Sequence, residues 1–211
     1  VTEADFKAAP SLELVVRAGA GYDNIDVSTA SGFGVFVANC PGKNSAAVAE
    51  LTIGLILSID RSIPDNVIDA RSGEWNKAKY GKANGVKGKV LGIIGLGSIG
   101  KEVITRAKGL DMQVVAWSRS LTAGMARELG VEMKATPNEV ASAADIVTLH
   151  VASSAETKNL ADSAFFDCLK PGAYFINTTR ADVVDEAAMV KCIEEKGLRI
   201  GLDVFSNEPS V

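Results

Sequence analysis

Apolar residues in this chain occur in two kinds of run. From Val90 onward, short runs rich in Val and Ile alternate with segments whose apolar positions recur three or four residues apart. Runs without a polar alternation predict strands covered on both faces. The recurring pattern predicts helices with one buried stripe. Strands are expected over 90–94, 113–117, 131–133, 146–151, 173–177 and 199–204. Helices are expected between most of them. The first covers 98–108, with Ile99, Val103 and Ala107 on one stripe. The next covers 122–129 and leaves through Gly130. Thr136, Pro137, Asn138 and Glu139 form a capping box with proline at the first helical position. Asp162 caps a helix ending near Leu169, and Asp185 caps one that Gly197 stops.

Before Val90 the pattern is looser. Two short apolar strands are expected at 12–16 and 35–38, around the turn-rich segment RAGAGYDNID. A long helix follows over 44–63, with Pro64 behind it. It is apolar nearly all round, which predicts burial or an interface. The Gly- and Lys-rich segment RSGEWNKAKYGKANGVKGK reads as a loop or an extended arm. The whole pattern predicts an α/β fold built on a doubly wound parallel sheet.

Composition changes this picture little but excludes much. The net charge is −4, and no block of five or six like charges occurs, which argues against nucleic acid as a partner. No apolar run approaches the roughly 18 residues of a membrane span. Cys40, Cys168 and Cys192 are far apart and odd in number, and there is one histidine, so no zinc set is expected. The cysteines read as buried thiols in a reducing, cytoplasmic setting. Cys40 has no histidine near it in sequence to activate it as a nucleophile. No signal peptide is expected, and the start at Val1 points to a missing native N-terminus.

The chemistry concentrates at Gly95-Leu96-Gly97-Ser98-Ile99-Gly100, a GxGxxG between an expected strand and an expected helix. In that setting Gly95 allows a tight turn, Gly97 admits a pyrophosphate and Gly100 allows close packing. The helix start then offers N–H groups to phosphates. At the end of the next strand, where an acid would grip a ribose diol, stand Ser118 and Arg119. A serine does not repel a 2′-phosphate and an arginine can pair with one, so NADP is slightly favoured over NAD. The alternative is a solvated Arg119 and an NAD held by other contacts.

RAGAGYDNID, NCPGKNSAAVAELTIGLIL, VLGIIGLGSIGKEV, INTTRADVVDE and GLDVFSNEP together resemble the D-2-hydroxyacid dehydrogenase family, and within it the phosphoglycerate dehydrogenases. The resemblance implies two Rossmann-like domains. Residues 1–43 would be the remnant of the substrate domain, and 44–211 the NAD(P)-binding domain with its linking helix. It implies that Arg180, just past a strand, is catalytic and holds a substrate carboxylate, with Glu208 as partner of a general-base histidine. It also implies a substrate loop at Ala20 and Gly21, and cofactor contacts from Val151, Thr178, Thr179 and Asp203 beside those of the glycine turn. Arg17 would meet a substrate phosphate or form a structural ion pair.

The implied reaction passes hydride between NAD(P) and C2 of a 2-hydroxy acid or 2-keto acid, in a homodimer. Two departures stand out. Ala181 replaces the glycine common after the arginine, and the base histidine would lie past Val211. His150 matches a position beside the cofactor instead. The chain as given is therefore expected to bind cofactor without turnover. The competing reading is a dinucleotide-sensing corepressor or binding module, which the retention of Arg180 and Glu208 disfavours.

Overall fold

The computed structural model describes residues 1–208 of the 211. Its chain forms two compact units, Val1–Ala47 and Val48–Val211.

The first unit holds α1 (Glu3–Ala8), β1 (Leu14–Val16), α2 (Val27–Gly32) and β2 (Phe36–Ala38). The two strands pair in parallel, Leu14 opposite Phe36. Val15 and Val37 lie against a small core of Phe6, Ile25, Ala30 and Val35. Leu14, Val16 and Phe36, on the alternate positions, are exposed. The turn-rich segment RAGAGYDNID holds no helix or strand, as expected; α2, for which no element was expected, follows it and is capped by Asp26, whose carboxylate accepts from the Thr29 N–H and hydroxyl. Val27, Ser28 and Thr29 carry little helical propensity of their own, and the cap supplies the missing signal.

The linking helix α3 spans Ser45–Arg61, and α4 spans Ile63–Arg71. One continuous helix over 44–63 was expected. It ends at Ser62, whose φ of 48° is left-handed, and Pro64 opens the next helix instead of trailing the first. Ala49, Thr52, Ile56 and Asp60 form the buried stripe of α3, at spacings of three and four. The helix therefore buries one stripe only, and Leu51 remains 39% exposed. The segment read as a loop contains α5 (Lys77–Tyr80). It is folded back by Asp69, whose Oδ2 accepts from Tyr80 Oη at 2.5 Å, Asn76 Nδ2 at 2.9 Å and Lys79 Nζ at 3.3 Å.

From there strands and helices alternate: β3 (Val90–Ile94), α6 (Ser98–Gly109), β4 (Gln113–Trp117), α7 (Ala123–Leu129), β5 (Glu132–Met133), α8 (Pro137–Ala143), β6 (Ile146–Leu149), α9 (Ser163–Cys168), β7 (Tyr174–Asn177), α10 (Glu186–Lys196) and β8 (Arg199–Leu202). All six expected strands of this unit form, in the order β5-β4-β3-β6-β7-β8, every pair parallel. The order reverses between β3 and β6, which makes that point the crevice where ligands bind in such sheets. One face is covered by α3 and α6, through Ile56, Ile93, Val103 and Ile176. The other carries α8, α9 and α10, with Phe165, Phe166 and Phe175 in edge-to-face contact. The three cysteines are free; only Cys192 is buried, which pushes its thiol up, while Cys40 and Cys168 are half-buried, contrary to expectation. Among the described residues no helix is long and apolar enough to cross a membrane.

Candidate functional site

The glycine turn sits at the C-terminal end of β3, at the switch point. Gly95 has φ of 100°, and its N–H donates to the Trp117 carbonyl at 2.8 Å. A Cβ there would lie 2.5 Å from the His150 carbonyl oxygen, so only glycine fits. At Gly100 a Cβ would lie 2.4 Å from the Gly95 carbonyl oxygen. Its absence lets the first turn of α6 fold back onto the loop itself, a closer contact than the helix–strand packing expected of it. Gly97 is the N-cap of α6, without a side-chain cap, and a Cβ on it would meet nothing within 4 Å. Open space therefore lies against a helix start whose first N–H groups have no intrahelical partner. Ser98 and Ile99 are the first two residues of that helix. This cradle fits the pyrophosphate of a dinucleotide.

The ends of β4 and β6 stand on either side of the turn. Past β4 come Ser118, half-buried, and Arg119, exposed. Past β6 come His150, buried, and Val151, half-buried. The His150 Nε2 is 3.0 Å from Thr148 Oγ1, and its Nδ1 is buried without a hydrogen-bond partner. Burial lowers its pKa from 6.5 to about 4, so the ring is neutral near pH 7.

Past β7 the chain runs through Thr178, Thr179 and Arg180 into a short 3-10 turn, Ala181–Val183. Asn177, only 1% exposed, shapes this passage. Its Oδ1 accepts from the Thr179 N–H at 2.9 Å and hydroxyl at 2.8 Å, and its Nδ2 donates to the Arg180 carbonyl at 2.9 Å. Arg180 is thereby held extended, φ −144° and ψ 150°, and half-buried, its Nη1 donating to the Thr179 carbonyl at 2.8 Å. Thr178, buried, has its hydroxyl 3.3 Å from that of Thr52 on α3. Asn177 and Thr52 were not among the expected site residues. An asparagine at a strand end before a turn is a readable signal for the first; Thr52, some 126 positions away in sequence, left none.

Asp203, just past β8, is exposed, and its N–H donates to the Asn177 carbonyl at 3.1 Å. Glu208 is exposed, and its Oε1 accepts from the Phe205 N–H at 2.9 Å. In the second unit, then, every expected residue from Gly95 to Asp203 lies at or just past the C-terminal end of a parallel strand. A cavity of about 380 Å³ lies elsewhere, between α3, α4 and β8 and lined in part by Leu55, Ile59 and Arg199. Position at the switch point marks the crevice at the strand ends.

In the first unit, Arg17 follows β1 and precedes the loop of Gly19, Ala20 and Gly21. That loop is tied down by Asn39 Nδ2 to the Ala20 carbonyl, 2.8 Å, and the Cys40 N–H to the Gly19 carbonyl, 3.0 Å. The Arg17 guanidinium folds over Gly19, where a Cβ would sit 3.1 Å from Nη1, and its Nε is buried without a hydrogen-bond partner. No ion pair of Arg17 occurs among the described residues.

Residues 53–211 match the profile of the D-isomer specific 2-hydroxyacid dehydrogenase NAD-binding domain. The chain belongs to that family. It is 40% identical, over all of its length, to a D-3-phosphoglycerate dehydrogenase of Bacillus subtilis, of which it spans 40%. It is 36% identical to a glyoxylate reductase of Thermococcus litoralis, with 95% of this chain and 62% of that one covered. In structure it resembles D-mandelate dehydrogenase of Rhodotorula graminis, with a TM-score of 0.87 at 34% identity over 96% of this chain and 61% of that one. The chain thus spans 40% to 62% of the length of these family members.

Proposed function

We propose that this chain is the dinucleotide-binding part, with a piece of the substrate-binding part, of an NAD(P)-dependent oxidoreductase acting on a D-2-hydroxy acid. The observation that carries the reading is the juxtaposition at one sheet edge of a phosphate cradle, Gly95 to Gly100, and an arginine held extended two strands away by Asn177. A nicotinamide cofactor, when bound, supplies or accepts the hydride.

The chain's own residues do the rest. The start of α6 binds the pyrophosphate through Gly97, Ser98, Ile99 and Gly100. Val151, Thr178, Thr179 and Asp203 line the way from the turn toward β8. Arg180 holds the substrate carboxylate in two hydrogen bonds and polarises the C2 oxygen. In the first unit the amides of Ala20 and Gly21 take a substrate carboxylate and Arg17 a substrate phosphate; the unpartnered Nε of Arg17 supports that role over a structural ion pair. Glu208 orients a basic histidine from outside these residues. His150 does not move the proton: it is buried, neutral and engaged with Thr148. The uncovered apolar face of Leu14, Val16 and Phe36 supports reading residues 1–43 as part of a larger substrate domain.

We propose NADP as the slightly preferred cofactor, on Ser118 and Arg119. Ser118→Asp shifts the preference toward NAD. The intact protein works as a homodimer, joined through the exposed side of α3 and the arm around Trp75, which is 83% exposed.

The test is calorimetry of NAD and NADP on this chain, with an absorbance assay at 340 nm on the full-length protein carrying it. Arg180→Lys keeps cofactor affinity and lowers kcat/KM about 100-fold or more, since a lysine cannot reproduce the bidentate contact. Loss of cofactor affinity in that variant, or unchanged turnover, refutes the role. A corepressor would bind dinucleotide and show no turnover with any 2-keto acid.

A further inference from the structure

We propose that Asp182, clamped by Ser153 and Asn159 from the loop past β6, is a positioning residue for Arg180. The inference rests on the reading of Arg180 as the holder of the substrate carboxylate.

The backbone around Arg180 is fixed from two sides. On the β7 side Asn177 accepts from the Thr179 N–H and donates to the Arg180 carbonyl. On the far side the anchor is Asp182, two residues on, within the 3-10 turn. Its partners come from the loop that leaves β6, the neighbour of β7. Ser153 Oγ donates to Asp182 Oδ2 at 2.7 Å, and the Asn159 N–H donates to the Asp182 carbonyl at 2.9 Å. One aspartate is thus held through its side chain and its backbone by the same loop.

That loop is built to hold its shape. Thr157 is buried; its Oγ1 accepts from the Ser154 N–H at 2.8 Å and donates to the Ala152 carbonyl at 2.7 Å. Asn159, whose N–H meets Asp182, has a left-handed φ of 50°, a conformation that asparagine tolerates better than most residues. Beyond it the two segments run on together. The Ala161 N–H donates to the Val183 carbonyl and the Asp185 N–H to the Ala161 carbonyl, both at 3.0 Å, and Ala161 and Val183 are fully buried. The bond from Ser153 to Asp182 therefore joins two segments that the backbone already orders, so closing it costs little further entropy.

Ser153 and Asp182 are both exposed, so their bond competes with water and contributes modestly by itself. Its leverage lies in what it holds. A guanidinium grips a carboxylate in two parallel hydrogen bonds only in one plane, and a tilt of the backbone beneath it loses one of them. With Asn177 alone, the chain past Arg180 is free to swing about one anchor; with Asp182 it has two. Val151, read as a cofactor contact, stands two residues before Ser153, so the cofactor side and the arginine side of the crevice share one support.

The experiment uses the full-length protein carrying this chain, as wild type, Ser153→Ala, Asp182→Ala and Asp182→Asn, each also with Arg180→Lys. Reduction of hydroxypyruvate and of 3-phosphohydroxypyruvate is followed at 340 nm, and backbone amide exchange is measured alongside. Ser153→Ala and Asp182→Ala lower kcat/KM for the keto acid roughly three- to tenfold, the weight of one ordinary hydrogen bond, and leave the KM of the cofactor unchanged. Asp182→Asn keeps an oxygen to accept from Ser153 and recovers most of the loss. In the Arg180→Lys background the same substitutions have no further effect, because they act through the arginine. The Thr179 N–H exchanges faster in Ser153→Ala, together with that of Asn159. If the substitutions leave kcat/KM unchanged, or lower it equally with Arg180 and with Lys at that position, the positioning role is overturned. Faster exchange at Asn159 alone overturns it too, since the clamp then stops short of the arginine. If Arg180→Lys itself leaves turnover unchanged, or neither keto acid is reduced, the reading of Arg180 fails, and this inference with it.

Discussion

His150 is the sole histidine of the chain, which makes its protonation separable from everything else that titrates near neutrality. Folded, it is buried, with a pKa near 4; unfolded, it returns to about 6.5. Below 6.5 the unfolded chain takes up a proton that the folded chain refuses, so stability falls as the pH falls. The loss begins near pH 6.5 and is complete near pH 4, and nothing is lost above that window. A gap of about 2.5 units at about 1.4 kcal/mol each corresponds to about 3 kcal/mol. That is a large share of a typical stability of about 5–15 kcal/mol. The assay is urea unfolding at half-unit intervals from pH 7.5 to 4, on wild type and on His150→Gln. Each protein loses stability as its carboxylates protonate, and that part is common to both. The difference between them isolates the imidazole: wild type loses about 3 kcal/mol more than the variant between pH 6.5 and 4. A difference that stays constant across the window would refute the reasoning. It would mean that the ring is protonated in the folded state or reached by water.

The other predictions concern single contacts. Gly97→Val places a side chain in the open space before α6 and abolishes dinucleotide binding by calorimetry, while the urea midpoint moves little, because a Cβ there meets no protein atom. Asn177→Ala removes three hydrogen bonds that shape the Arg180 passage and costs about 1–3 kcal/mol, read by urea unfolding. Tyr174→Phe takes a donor from the buried Asp60, whose Oδ1 accepts from that hydroxyl at 3.0 Å, and costs about 1–2 kcal/mol. Because this contact is at the opposite end of β7 from Arg180, cofactor affinity by calorimetry is unchanged.

Much of this protein is local in sequence. The Val- and Ile-rich runs, the caps at Thr122, Thr136, Asp162 and Asp185, and the exits at Gly130 and Gly197 all form where their residues stand. Each is settled within four residues by sterics or by one side-chain hydrogen bond, so the sequence determines them unaided. So too the glycine turn, since its φ of 100° at Gly95 is open to few other residues. The strand order, and with it the reversal beside β3 that turns a glycine loop into a crevice, came only from tertiary structure. So did the break of the linking helix at Ser62, where Arg199 Nη2 reaches Ser62 Oγ at 3.3 Å from a strand 137 residues on. A left-handed serine is costly by itself and persists where distant partners hold it. Periodicity reports which face a residue turns inward; it carries no information on which strands become neighbours, because long-range pairing is chosen by the packing of the whole sheet.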